Sequence, residues 1–169
     1  TVRVVPAAAA RIAGPRGWLQ RVAGSGTRAA TPRLDGQTLA LPPVVAVFKQ
    51  RALNHDLFLW LAALAAVHTG GPWLTSNLRA TAQALQAFPG LRPRWEALRS
   101  AQLAMRPDPA TLAPPAAAAE AAVQAALRGQ ACSTAVAGPD GIAPVWLWLD
   151  VLPDRAGRHA AEAAPAAQT

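Results

Sequence analysis

The sequence predicts a mainly α fold: a small helical domain with one short β-hairpin near the N-terminus and a C-terminal tail expected to be poorly ordered. Three observations carry that prediction. Apolar residues recur at helical spacing between residues 51 and 105, Asp35-Gly36 separates two short extended runs, and alanine with proline dominates the chain after residue 151. These divide the chain into a basic, partly helical segment (1–27), a hairpin-plus-helices domain (28–150) and an Ala/Pro-rich tail (151–169).

The 169 residues include 52% hydrophobic and 15% charged side chains, which excludes disorder along the whole length. Forty-three of the hydrophobic residues are alanine, however, so the apolar surface available for burial is smaller than that percentage suggests. The net charge of +7 is unevenly placed. Arg3, Arg11, Arg16, Arg21, Arg28 and Arg33 precede the first acid, whereas the remainder of the chain is nearly balanced. Such a block reads as a solvated arm or as a docking surface for an acidic partner.

Within residues 7–23 a helix is interrupted at Gly14-Pro15-Arg16-Gly17, with Trp18, Leu19 and Val22 on one side. Asp35-Gly36 then tolerates the positive backbone angles of a two-residue turn between Arg28–Leu34 and Gln37–Leu41, and Pro42-Pro43 closes the hairpin. Leu53, Leu57, Trp60, Leu61, Leu64 and Val67 share one helical face, and Phe58 and Leu59 widen it, which assigns this helix to the centre of the domain. After Gly70-Gly71-Pro72, a second helix carries Leu74, Leu78, Leu85 and Phe88. The Phe88-Pro89-Gly90 corner leads to a third with Leu91, Trp95, Leu98 and Met105 inside and Gln102 interrupting the stripe. The expected core is therefore Leu53, Leu57, Trp60, Leu61, Leu64, Leu78, Leu85, Trp95 and Leu98. Pro114-Pro115 opens a fourth helix through Glu120, Val123 and Leu127, ended by Gly129. Residues 144–149 form a short apolar stretch, read as a packed segment or a strand.

The search for chemistry yields no catalytic, cofactor-binding or metal-ligating set. The one lysine, Lys49, is followed by Gln50, so no phosphate-binding loop exists, and the glycine, His-Glu and Gly-x-Ser-x-Gly signatures of other enzyme classes are missing. His55 and His68 lie at opposite ends of the central helix, too far apart to share a metal, and Cys132 has no disulfide partner in the chain. With no apolar run approaching the roughly 20 residues a bilayer requires, membrane insertion is not expected and a reducing, cytoplasmic setting fits. The first residue is Thr1, which fits an excerpt of a longer protein. Arg92, Arg99 and Arg106 recur every seven residues on the third helix as a basic ridge, which reads as a solvent-facing stripe or, with Arg16 and Arg21, as a partner-contact face. The alternative function is an arginine-rich nucleic-acid-binding domain; the embedding of Trp60 and Trp95 in apolar stripes, with no exposed stacking series, makes that the weaker reading.

The runs Trp18-Leu19-Gln20-Arg21-Val22-Ala23-Gly24, Leu39-Ala40-Leu41-Pro42 and Leu53-Asn54-His55-Asp56-Leu57-Phe58-Leu59-Trp60-Leu61-Ala62, followed by Ala87-Phe88-Pro89-Gly90-Leu91, Arg94-Trp95, Leu98 and Pro144-Val145-Trp146-Leu147-Trp148, occur in an order that resembles the N-terminal part of the NorD/CbbO family. That resemblance implies a non-catalytic adaptor of a hexameric MoxR-type AAA+ ATPase, coupling ATP-driven remodelling to a client such as nitric oxide reductase or Rubisco. It also implies a C-terminal von Willebrand factor A domain that engages the client through an Asp-x-Ser-x-Ser metal motif. No such motif occurs here, so the expectation is either the N-terminal portion of a longer adaptor, with client binding in a domain outside this sequence, or a degenerate copy that has lost metal-dependent client binding.

Overall fold

A computed structural model describes residues 3–6, 31–35, 38–41, 46–132, 136 and 138–152. Three short strands come first: β1 (Arg3–Pro6), β2 (Arg33–Asp35) and β3 (Thr38–Leu41). Four helices follow as α1 (Arg51–Val67), α2 (Trp73–Ala87), α3 (Arg92–Ala104) and α4 (Pro114–Leu127), and β4 (Asp150–Leu152) ends the described chain. The protein is mainly α, as the apolar spacing predicts.

The leucine spacing of α1 puts Leu57, Trp60, Leu61 and Leu64 on its buried face. Its start has no side-chain cap; instead Phe48 N–H donates to Asn54 Oδ1 and Asn54 Nδ2 donates back to Phe48 O, both at 2.8 Å. That reciprocal pair fixes the chain's entry and seats the buried Phe48 against the core. Gly70 and Gly71, with φ of +74° and +114°, reverse the chain before α2, a backbone that a β-carbon would strain. Trp60 stacks on Trp95 of α3 with ring centroids 4.4 Å apart, which joins the two helices at the centre of the core. Of the expected core, Leu57, Trp60, Leu61, Leu64, Trp95 and Leu98 are buried, and Leu53, Leu78 and Leu85 pack around them half-buried.

The hairpin is present, one residue later than its turn chemistry suggests: β2 pairs antiparallel to β3 with Leu34 opposite Leu39 and Asp35 opposite Thr38. Asp35 is thus a strand residue, and the turn positions 36 and 37 lie outside the described residues. Two further strands extend the hairpin. Arg3–Pro6, assigned from the sequence to the basic segment, forms a strand parallel to β3; Val151 and Leu152, assigned to the tail, belong to a strand parallel to β2. The hairpin is consequently the middle of a four-stranded sheet in the order β1-β3-β2-β4. The remaining expectations for residues 7–30 and 153–169 fall outside the described chain.

The apolar stretch before β4 is a packed, irregular segment. Residues 143–149 are all buried, and their polar backbone groups are met largely by side chains reaching from the helices. Trp60 Nε1 donates to Leu147 O at 2.9 Å, while Asn77 of α2 donates to Leu149 O and accepts from Leu149 N–H at 2.9 and 2.8 Å. Gln102 of α3 accepts from Trp146 N–H at 3.0 Å and donates to Pro144 O at 3.3 Å. A buried peptide group left unmatched costs about 1–3 kcal/mol. These amides and the indole therefore do for this segment what neighbouring strands do for a sheet, and they bind three helices to it.

Candidate interaction surface

The three arginines of the expected ridge have three different environments. Arg92 is exposed, Arg99 is half-buried, and the Arg106 side chain is only 1% exposed. At about 100° per residue, seven residues fall some 20° short of two turns, so a heptad line drifts round the helix. From Arg92 to Arg99 that drift runs toward the buried stripe of Trp95, Leu98 and Gln102, and Arg106 lies two residues beyond the end of the helix, where its side chain reaches the interior.

Arg106 is therefore no contact residue on an exposed ridge. Its Nε donates to Glu120 Oε1 at 2.7 Å, Nη2 donates to Glu120 Oε2, and Nη1 donates at 3.0 Å to both Ala143 O and Pro144 O. Glu120, itself 1% exposed, also accepts from Gln124 Nε2 at 2.9 Å. The bidentate geometry and the extra partners are what a desolvated ion pair requires. This pair ties the end of α3, the middle of α4 and the start of the 143–149 segment into one unit.

At the opposite end of α3 the polar groups face solvent. Phe88 (42% exposed), Pro89 and Gly90 form an exposed corner; Leu91 turns inward, half-buried; Arg92, Pro93 and Arg94 are exposed again as α3 begins. Arg94 Nε donates to Asp56 Oδ1 at 2.9 Å, which places the second turn of α1 beside the first turn of α3. Lys49, Arg51 and His55 are exposed on the same end of α1. Neither helix has an acid in its first turn, and both begin on arginine, where the partial positive charge of unpaired N–H groups favours anions. Among the described residues no carboxylate lies within salt-bridge distance of Lys49, Arg51, Arg92 or Arg99. Arg16 and Arg21 lie outside the described residues. The sequence places Phe88 on the apolar stripe of α2, which its exposure corrects, and singles out neither Arg94 nor Asp56 for contact; the signal available is an aromatic in a Pro-Gly corner, followed by arginines.

Among the described residues no three His, Cys, Asp or Glu side chains cluster to hold a metal ion. A cleft of about 560 Å³ between α4 and residues 136–142 is lined by Pro115, Ala119, Val136 and Ile142, with Asp140 as its ionisable side chain. At the end of α1, burial and secondarily the Arg79 guanidinium hold the His68 imidazole below its ordinary value of 6.5. Its Nδ1 accepts from Gly70 N–H at 3.0 Å. Burial pushes the Asp150 carboxyl upward, Arg33 at 3.8 Å opposes it, and Asp140 adds to the rise. No described helix is long and apolar enough to cross a membrane.

Comparison with known proteins places this arrangement in context. The chain is 41% identical over 114 residues to the protein NorD of Stutzerimonas stutzeri, a match covering 67% of this chain and 19% of that protein. It is 38% identical over 119 residues to the protein NorD of Brucella abortus, covering 63% of this chain and 19% of the relative. An uncharacterized protein of Pseudomonas aeruginosa is 45% identical over 96 residues, or 55% of this chain and 15% of its own length. The chain thus spans less than a fifth of the length of these relatives. No protein-family model and no solved structure matches it.

Proposed function

Starting from a chain that carries a NorD-like region, we propose that it is a non-catalytic accessory domain, serving as an adaptor between a MoxR-type AAA+ ATPase ring and a client enzyme. The observation that carries this reading is the similarity to relatives named NorD over about two thirds of the chain. It favours nitric oxide reductase as client over Rubisco, the client of the CbbO type. The geometry supports an accessory role in a specific way. Asn77, Gln102 and the Arg106–Glu120 pair, all buried, are spent on holding the domain's own irregular segment, and Lys49, Arg51 and Arg92 remain exposed for contact. In such a system the ring supplies energy from ATP in the cytoplasm, and this domain supplies contact area and orientation.

The test is reconstitution of the folded chain with a hexameric MoxR-type ATPase. Association in the presence of nucleotide, with a change in the ring's ATPase rate and no ATP hydrolysis by the chain alone, is the expected result. Absence of association in every nucleotide state, with folding confirmed by circular dichroism, overturns the reading.

A further inference from the structure

The heptad ridge read from the sequence loses Arg106 to the interior, and the surface that remains is better defined than the ridge. Asp56 and Arg94 lock α1 to α3 close to where both helices begin. Arg51 stands five residues before Asp56, about 7.5 Å along the helix axis at 1.5 Å per residue. Lys49, Arg51, Arg92 and Arg94 accordingly stand at this end of the helix pair with two carboxylates, Asp56 and Glu96, a local excess of two positive charges, and Arg99 follows two turns further along α3 on the line of Arg92. The first turns of both helices add to that field and carry no acid to offset it. Phe88 stands at the same corner, one of three large hydrophobic residues exposed among those described. An exposed aromatic ring at one corner with guanidinium groups that have no carboxylate partner among the described residues is the composition of interface anchors, because the ring supplies area at little entropic cost and the guanidinium supplies planar recognition of carboxylate. The N-terminal segment of this chain is the wrong occupant for such a face. Residues 1–33 contain six arginines and no acid, so they would be repelled.

We propose that this corner, built on Phe88, Arg92 and Arg99 with Arg51 and Lys49 at its side, is the domain's docking surface, and that its partner is a folded protein presenting carboxylates around an apolar pocket for Phe88. The inference rests on the adaptor reading above, in which that acidic surface belongs to the ATPase ring. Arg94 is assigned to positioning, because its guanidinium is occupied by Asp56. The charges act chiefly on encounter and register, and Phe88 on residence time.

The experiment measures binding of the full chain to the hexamer by surface-based kinetics at low and physiological salt, for the wild type, Arg92→Glu/Arg99→Glu, Phe88→Ala and a control on α4, Arg128→Glu. Glutamate at position 92 suits the first turn of a helix, so the double variant is expected to keep the wild-type melting temperature while its association rate falls at least about tenfold and loses most of its salt dependence. Phe88→Ala is expected to raise the dissociation rate, and Arg128→Glu to change neither. Wild-type binding with all variants equal to it overturns the docking surface and leaves the adaptor reading in place. Failure of the wild type to bind any nucleotide state removes both. A mixed-sequence DNA or RNA arm completes the test: submicromolar affinity at physiological salt that the double variant abolishes overturns the protein partner in favour of phosphate, since ordinary nonspecific contacts give about 10⁻⁴ to 10⁻⁶ M.

Discussion

Arg92 opens α3 and Arg106 follows its end, fourteen residues later, and the two have opposite roles. The guanidinium of Arg106 is withdrawn from water and met by a carboxylate and two carbonyls, whereas Arg92 projects into solvent from a helix terminus that repels it. The difference shows that arginine content says little about function until its partners are counted. At one end of α3 the charge holds the domain together, and at the other it remains available to something else. Mutations should separate the two ends cleanly.

The largest effect is expected at the buried end. Glu120→Ala leaves the Arg106 guanidinium uncompensated among buried carbonyls, a loss of about 3–5 kcal/mol measured by urea denaturation. Replacing both partners with apolar residues, Arg106→Met with Glu120→Leu, is expected to cost clearly less, because the desolvation of two charges is then avoided. An unchanged stability in Glu120→Ala would show that the pair is open to water and that the contrast along α3 is false.

Trp60→Ala comes next, at about 3–5 kcal/mol for a large aromatic site in the core. It also removes the stacking on Trp95 and the donor to Leu147 O. A second substitution, Trp60→Phe, keeps much of the ring and isolates the hydrogen bond, whose loss leaves the buried carbonyl with a penalty of about 1–3 kcal/mol. The exposed corner should behave differently: Phe88→Ala and Arg92→Glu are expected to shift stability by no more than about 0.5 kcal/mol, the usual range for surface positions. A loss of 2 kcal/mol or more in a denaturation curve of Phe88→Ala, which would be large for a surface residue, would mean that the ring is packed and unfit as an anchor.

The helices were legible because leucine and tryptophan recur on one face at 3.6 residues per turn, and Pro-Pro and Gly-Gly-Pro mark the breaks. Arg106 was not legible as a buried residue by the same rule, since a heptad of arginines looks like a wet stripe. The clue lay elsewhere. Gln102 and Glu120 stand on apolar stripes of their helices, and a polar group at a core position must find partners. Those partners are the backbone of residues 143–149 and a guanidinium just past the end of another helix, about 14 to 44 residues away in sequence. The strands β1 and β4 were hidden for a related reason. Three or four residues carry little local pattern, and each is defined by pairing with a hairpin some 35 or 115 residues distant. The proposed docking corner was partly legible: Arg92 and Arg99 stood out by spacing, but the exposure of Phe88 required the fold.

The smallest effect concerns the loop joining α1 to α2, remote from both ends of α3. His68 Nδ1 accepts a hydrogen bond from Gly70 N–H, so a proton there would remove the acceptor, and burial with the nearby Arg79 guanidinium further disfavours the charged ring. The folded pKa is thus below the 6.5 of the unfolded chain. Between those two values the unfolded state binds more protons, so this histidine's contribution to stability is complete above 6.5, falls as the pH drops through that interval and is flat below the folded value. His68→Gln offers a neutral side chain at every pH and should flatten this part of the profile. Urea midpoints of wild type and His68→Gln, measured from pH 7.5 downward, should therefore converge on acidification. Parallel profiles throughout would mean that His68 titrates in the fold as it does in the unfolded chain, and that the Gly70 hydrogen bond does not restrain it.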